Sequence, residues 1–395
     1  MPCTYLDNNA TTPLSDSVKQ TIVDALDIWG NPSAQNEPGR KAKELVENAR
    51  QKLSAAFNVL PQNVVFTSGG TEANNLCITS VVNYFKQIHR ASHENENKLK
   101  VISSAMEHPS VLAMLEAMSR REEIDLMLCS IEPTIGEVMF LQDVKATPAP
   151  VIVSIMLANG ETGVIQPIAD LAEMIQQASN KNVFFHVDAS QAVGKMKVDV
   201  AKLGADAVTI VGHKFYGPKI GALLLGNDRS REIFQHFPLS YGGGQEMGMR
   251  SGTENVPMIA GLGVAAKLVQ EHVLEYQNTM LSTRNFFEKT LKLRFGPDVV
   301  INFEDSERLC NTSSVCFPNY HGTANDILAK CTTFVASTGA ACHSDYEGPS
   351  PNLLACGLSE HNALRTIRYS IGRYTTVEDI VRVVNELVTV VLDKR

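Results

Sequence analysis

The stretch VFFHVDASQAVGKMKVDVAKLGADAVTIVGHKFYGPKIGALLL, residues 183–225, decides the fold. Its apolar runs Val183–Val187, Val208–Val211 and Ala222–Leu225 have the length and β-branched content of short strands. A helical pattern at Val200–Leu203 lies between the first two. Several of these runs are apolar on both faces, as a strand must be when helices cover both sides of its sheet. The first run is followed by Asp188 and Gln191, the second by Gly212-His213-Lys214.

The same texture extends upstream. Val64–Phe66, Val101–Ser103 and Val151–Leu157 read as strands, with helical patterns at Glu72–Lys86, Ser110–Met118 and Ile168–Ala178. This alternation predicts an α/β fold built on a mostly parallel sheet. After about residue 260 the texture changes. Pro257–Phe295 reads as one or two long amphipathic helices, followed by short strands near Val299–Phe303, Ser313–Phe317 and Thr332–Ala336. A last helix over Val377–Leu392 would place Ile380, Val381, Val384, Leu387, Val388 and Val391 on one stripe. We therefore expect a large part over residues 16–260 and a smaller α+β part formed by residues 1–15 with 261–395. Residues 91–100, ASHENENKLK, read as a polar loop.

A chain of 395 residues suits two or three domains at roughly 150 residues each. With 44% hydrophobic and 20% charged residues, it is neither disordered nor a coiled coil as a whole. Thirty-five basic against 43 acidic residues leave a net charge of −8, which disfavours nucleic acid and anionic membranes as partners. None of the eight cysteines forms a CxxC pair, so neither a zinc ribbon nor a redox dithiol is expected, and no metal site. Free thiols fit a reducing compartment. No apolar run approaches the roughly 18 residues of a membrane span, and MPCTYLDNNATTPL resembles neither a signal nor a transit peptide; a cytoplasmic protein is expected.

In open parallel sheets ligands bind beyond the carboxyl ends of the strands. After Val64–Phe66 comes Thr67-Ser68-Gly69-Gly70-Thr71-Glu72, then a helix. Gly70, the free N–H groups of the helix start and the Thr71 hydroxyl would make a phosphate cradle; the plainer alternative is a glycine turn with a helix cap. The next strands are followed by Glu107-His108 and by Asn159-Gly160-Glu161-Thr162-Gly163. A single histidine or aspartate at a strand end is usually structural. Thr71, His108, Asn159, Asp188 and Lys214 on one rim are harder to dismiss. A lysine amine condenses with an aldehyde. An aspartate keeps a pyridine nitrogen protonated, a histidine stacks and moves protons, and Asn or Gln bonds a ring hydroxyl. Together they describe a pyridoxal 5'-phosphate (PLP) site.

With these residues in view, the chain resembles the fold-type I PLP enzymes of the NifS-like class, the cysteine desulfurases and selenocysteine lyases. The matching motifs run in order along nearly the whole chain. They include YLDNNATTP (5–13), TSGGTEANN (67–75), EHPSVL (107–112), NGETGVIQPI (159–168) and HVDASQAVGK (186–195). GHKFYGPKIGAL (212–223), GGGQEMGMRSGTEN (242–255), STGAACHSD (337–345) and RYSIGRYTT (368–376) continue the match. The resemblance implies a Schiff-base lysine at Lys214, Asp188 facing the pyridine nitrogen, and Asn159 and Gln191 at the ring hydroxyl. It implies His108 stacked on the ring and moving protons, with Gly70, Thr71 and His213 at the phosphate. Arg368, with Asn8, would hold the substrate, the guanidinium taking its carboxylate. Thr253 would reach the phosphate of a second subunit, so a homodimer follows.

The resemblance also singles out Cys342 as the catalytic thiol, in a loop from which it would approach the substrate's sulfur or selenium; the other seven cysteines read as inert. Four features favour the lyases: the run GAACHSD…PSPNLLACG with Cys356, Val211-Gly212-His213-Lys214 without the Ser of the desulfurases' Ser-x-His-Lys, Gln245 where they carry His, and a chain that stops at Arg395. Pro109 departs from the acidic residue of the mammalian lyases and leaves cysteine open as a substrate. The expected reaction releases selenium or sulfur from L-selenocysteine or L-cysteine and leaves L-alanine. A selenium or sulfur acceptor protein is a further expected partner. The alternative is a cysteine desulfurase that supplies sulfur for iron–sulfur clusters or thio-modification. A PLP aminotransferase would share Lys214 and Asp188 without needing Cys342. A persulfide carrier without turnover would not need Lys214, Asp188, His108 and Arg368 together. A dinucleotide-binding dehydrogenase lacks its GxGxxG.

Overall fold

The computed structural model describes residues 3–91, 99–134, 136–138, 152–178, 183–339 and 348–392. A two-residue strand, β1 (Thr4–Tyr5), precedes the large sheet. Its strands are β2 (Val64–Thr67), β3 (Leu99–Ser104), β4 (Ile124–Cys129), β5 (Ile152–Met156), β6 (Phe184–Asp188), β7 (Ala207–Val211) and β8 (Gly221–Leu225). They lie in the order β2-β8-β7-β6-β5-β3-β4. Every pair is parallel except the two made by β8. The link over residues 212–220 is too short for a parallel crossover, which needs a dozen or more residues, so β8 returns beside β7 against the others. The mostly parallel α/β sheet expected from the sequence is the one that forms.

Successive residues of each strand feed opposite cores. Val64 and Phe66 face one core and Val65 the other; Ala222 and Leu224 alternate with Leu223 and Leu225. One core packs beneath helices Asp16–Leu26 and Glu37–Phe57, the other beneath Gly70–Ala91 and Pro109–Arg120. Burial on both faces explains why these strands are continuous apolar runs instead of alternating ones. Edge strand β4 escaped the sequence reading. Its interior carries exposed Asp125 and Leu128, as befits a strand with one neighbour.

A third core lies in the later part of the chain. There β9 (Val300–Ile301), β10 (Thr312–Cys316) and β12 (Thr366–Ser370) form an antiparallel sheet, while β11 (Phe334–Val335) pairs with β1. Val256–Phe295 is one continuous helix of 40 residues. It gives Val256–Val273 to the first core and Phe287–Phe295 to the third, so residue 260 falls inside a helix that serves both. In the last helix, Val377–Leu392, the buried stripe is Ile380, Val383, Val384 and Leu387. Val381, expected inside, is 43% exposed, because the apolar face is rotated toward Val383. Of the expected polar loop at 91–100, residues 92–98 lie outside the described residues and Leu99 already belongs to β3. Among the described residues no helix is long and apolar enough to cross a membrane.

Candidate active site

The strand register brings the site together. Asp188 pairs with Met156 on one side and Thr209 on the other, and Gly221 of β8 faces both Val211 and Thr67. The carboxyl ends of β2, β5, β6 and β7 therefore share one rim, joined by the first residue of the reversed strand. A cavity of about 390 Å³ opens there, within the range of cofactor pockets. Gly70, Thr71, His108, Asn159, Asp188 and Gln191 line it, as do His213, Lys214 and Arg368.

At one end the helix Gly70–Ala91 points its first N–H groups into the cavity, an arrangement suited to an anion. Position 70 must be glycine: a Cβ there would meet Val211 Cγ2 at 2.5 Å. Glu72 braces the turn by accepting from Ser68 N at 2.7 Å and from Arg250 Nε at 2.6 Å. Burial opposes its charge, but these donors hold the Glu72 carboxyl below its ordinary range. His213 pairs Nδ1 with Thr11 Oγ1 at 3.1 Å. Burial, with the charges of Lys214, Lys219 and Lys195, pushes its imidazole down to about 4. At neutral pH His213 therefore offers an N–H to an anion and no charge.

Lys214 follows β7 in a single helical turn, Gly212–Lys214. Its Nζ donates to the carbonyls of Asn9 at 2.5 Å and Ala10 at 2.8 Å. Asp188 ends β6 and is held by three donors. Oδ1 accepts from Ser190 N at 2.9 Å and Ser190 Oγ at 2.5 Å, and Oδ2 accepts from Asn74 Nδ2 at 2.9 Å. His108 caps the helix Pro109–Arg120, its Nδ1 accepting from Ser110 N at 3.1 Å. The neutral imidazole thus carries its proton on Nε2. Asn159 is fully buried and spends Oδ1 on the N–H groups of Glu161 (2.8 Å) and Thr162 (2.9 Å), while its Nδ2 makes only long bonds, to the Met106 carbonyl at 3.4 Å and Met156 Sδ at 3.6 Å, and is the donor it could offer a ring oxygen.

Arg368 lies on β12, its side chain 4% exposed. Nη2 bonds Asp7 Oδ1 at 2.5 Å, and Nη1 reaches the Gly160 carbonyl at only 3.4 Å. Nε has no partner. A guanidinium with five donors so placed keeps capacity for a second carboxylate. Cys342 lies outside the described residues. The chain on either side of it is anchored at the cavity. Ser337 and Arg368 exchange backbone hydrogen bonds of 3.3 and 2.7 Å, and Glu161 accepts from Ser350 Oγ at 2.5 Å and Asn352 Nδ2 at 2.7 Å.

Asn8, expected at the substrate, does not line the cavity. Its Nδ2 donates to the carbonyls of Tyr5 at 3.2 Å and Ser370 at 2.9 Å, tying the N-terminal segment to β12. The neighbouring Asn9 and Ala10 line the cavity instead. Thr253 is exposed and is not part of this chain's cavity. Asn74, Ser110, Ser190 and Glu161 also line it, and sequence reasoning gave none of them a role. Asn74 and Ser190 sit inside motifs quoted for other residues, Asn74 four positions after Gly70 and Ser190 two after Asp188.

Glu107 was noted without a role. It is buried beside His108, its Oε1 accepting from Ser104 Oγ at 2.7 Å and Met156 N at 3.0 Å, while Oε2 has no partner among the described residues. Burial pushes its carboxyl up to about 8, with the Asp188 charge adding to the rise.

The model of the family described as aminotransferase class-V matches residues 4–383. The chain belongs to the aminotransferase class-V family. It is a PLP-dependent enzyme of fold-type I, as the motifs implied. Among class-V relatives, the selenocysteine lyase of Bos taurus is 42% identical, aligned over 97% of this chain and 92% of its own. The cysteine desulfurase IscS of Methanosarcina thermophila is 34% identical over 99% and 92%. A solved NifS-like protein superposes with a TM-score of 0.86 at 28% identity, covering 99% of this chain and all of its own.

Proposed function

We propose that this class-V enzyme removes selenium from L-selenocysteine, or sulfur from L-cysteine, and releases L-alanine, with PLP as its resident cofactor. One observation carries the proposal: a lysine amine, a triply held aspartate, a capped histidine and an arginine with unused donors line a single cavity. The residues suit the cofactor. Lys214 supplies the amine, Asp188 the anion for the ring nitrogen, Asn159 and Gln191 the donors for the ring oxygen. Gly70, Thr71 and His213 supply donors for the phosphate. When bound, PLP supplies an electron sink that labilises the bonds at the substrate's α-carbon. Arg368 holds the substrate carboxylate and so fixes which bond meets that sink. Lys214 Nζ is the group placed to take and return a proton, and His108, with its proton on Nε2, is placed to give one. Met106 and Met156 give the cavity part of its apolar wall.

Cys342 is proposed as the thiol that meets the chalcogen. With cysteine its thiolate would attack the substrate sulfur and carry it away as a persulfide, the C–S pair staying on Cβ to be protonated as alanine forms; with selenocysteine the weaker C–Se bond would let selenium depart at the zero oxidation level, its bonding pair likewise staying on Cβ, with Cys342 only the acid or a transient selenopersulfide carrier. Selenocysteine is the proposed preference, in keeping with the selenocysteine lyases among the relatives. Pro109 and the 34% identity to a cysteine desulfurase favour the second reading, a desulfurase. We further propose a homodimer in which Thr253 serves the partner's phosphate; Trp29 and Tyr241, 82% and 81% exposed, offer apolar surface to such a partner. The division into a large and a small part, and an acceptor protein for the released selenium or sulfur, belong to the same reading. Lys214→Ala tests the core of it. Turnover of both amino acids should vanish, and with it the coenzyme's visible band; retained turnover would remove Lys214 from the chemistry.

A further inference from the structure

One buried amine in the wall of this site has no part in the chemistry above. Lys195 is 4% exposed, and its Nζ donates to Gln191 Oε1 at 2.8 Å. Gly194, at φ +79°, supplies the left-handed turn that folds Lys195 back onto Gln191. Gln191 Nε2 donates to the Asn9 carbonyl at 3.0 Å, the same carbonyl that accepts from Lys214 Nζ. Beneath the amide lies the bare backbone of Gly160, where a Cβ would meet Gln191 Nε2 at 2.9 Å and Cδ at 3.2 Å. The carboxamide is thus held on three sides: an amine on its oxygen, a carbonyl on its nitrogen, a glycine under its plane. One Nε2 hydrogen goes to Asn9. The second remains for a ligand in the cavity, which Gln191 lines.

The groups around Lys195 explain the choice of an amine. Its burial, together with the cations Lys214 and Arg368, holds it well below the ordinary lysine range, with only Cys310 acting the other way. Cys310 Sγ donates to the Lys195 carbonyl at 3.2 Å, which fixes the backbone beneath the side chain. Burial and the neighbouring cations thus both disfavour a full charge on Lys195, and its bond to Gln191 Oε1 is the one contact its Nζ is shown to make among the described residues.

We propose that Lys195 is a positioning residue of the coenzyme site: it fixes the Gln191 carboxamide with Oε1 turned away and Nε2 presented to the ring oxygen. This rests on the cofactor reading above. Without the amine on Oε1, the amide is free to rotate about its last torsion and to exchange its oxygen and nitrogen.

The test is a pH titration of the coenzyme's visible absorption in the holoenzyme, for wild type, Gln191→Leu, Lys195→Met and Lys195→Gln. Loss of a donor makes the ring oxygen more basic, so Gln191→Leu and Lys195→Met should both raise the midpoint, by about one pH unit. Lys195→Gln keeps a neutral donor and should restore it. The double variant Gln191→Leu with Lys195→Met should shift no further than Gln191→Leu alone. Should Lys195→Met fail to fold, Lys195→Leu is the second donorless variant. A shift in Gln191→Leu with none in Lys195→Met would make Lys195 a packing residue and overturn the proposal, with the cofactor site intact. Equal shifts in Lys195→Met and Lys195→Gln would assign the effect to charge and overturn it too. No shift in Gln191→Leu would remove the ring contact that the proposal needs. A wild-type chain with no coenzyme band would overturn the proposed function itself.

Discussion

Asn74 donates to Asp188 Oδ2 at 2.9 Å, and the same amide nitrogen reaches Ser110 Oγ at 2.8 Å. Ser110 Oγ in turn sits 2.8 Å from His108 Nδ1. The carboxylate proposed for the ring nitrogen and the imidazole proposed for the ring face are therefore ends of one hydrogen-bonded chain. Its middle members, Asn74 and Ser110, are carried by the helices Gly70–Ala91 and Pro109–Arg120, while Asp188 ends β6 and His108 caps the second helix. Asn74→Ala removes the middle of this chain and should weaken coenzyme binding by about tenfold, the worth of a hydrogen bond to a charged group. An unchanged dissociation constant, measured by absorbance titration, would show that Asp188 needs only Ser190.

Glu107 makes stability depend on pH. Unfolded, its carboxyl ionises near 4.5; folded, burial holds the proton until about 8. Between those values the native chain binds more protons than the unfolded one, so this group costs stability as pH rises, at about 1.4 kcal/mol per unit. Glu107→Gln keeps the shape without the ionisation. In denaturant titrations from about pH 5 to 8, the variant should gain on wild type with rising pH. A constant difference would mean that Glu107 is ionised in the folded chain.

The segment carrying Thr253 is tied to the sheet by a buried ion pair. Arg50 Nη2 bonds Glu246 Oε1 at 2.7 Å, and Glu246 Oε2 accepts from Phe66 N at 2.8 Å, with both side chains almost fully buried. Arg50→Met would strand the Glu246 carboxylate, and we expect a loss of about 3–5 kcal/mol. Arg50→Met with Glu246→Gln, which keeps an acceptor for Phe66, should recover part of it. A melting curve unmoved by Arg50→Met would place the anchor of this segment elsewhere.

Cys342→Ala should bring cysteine turnover to background while selenocysteine turnover keeps a measurable fraction, because selenium leaves more readily than sulfur. Alanine release with each substrate reads this directly. Equal losses would contradict the proposed division of labour at the thiol.

Much of this site was legible because strands that are apolar on both faces must end in something polar. Asp188 and Lys214 stand out against VFFHV and AVTIV. The helix after Gly70 likewise declares its start through the paired glycines. Other features leave no such mark. Asn8 and Asn9 are adjacent and chemically identical, and only the fold of the N-terminal segment decides which one meets the cavity. Asn74 lies in a helix interior, where a polar residue ordinarily faces solvent. Gln191 and Lys195 stand four residues apart, but their bond depends on the left-handed turn at Gly194. Strand β4 was hidden because an edge strand need not be apolar throughout.

The most direct measurement is alanine formation from L-selenocysteine and from L-cysteine in parallel, by the PLP-loaded enzyme with a reductant present. We predict turnover of both, with a large preference for selenocysteine. Comparable rates or a preference for cysteine would make the enzyme a desulfurase, and no alanine from either would contradict the proposed function.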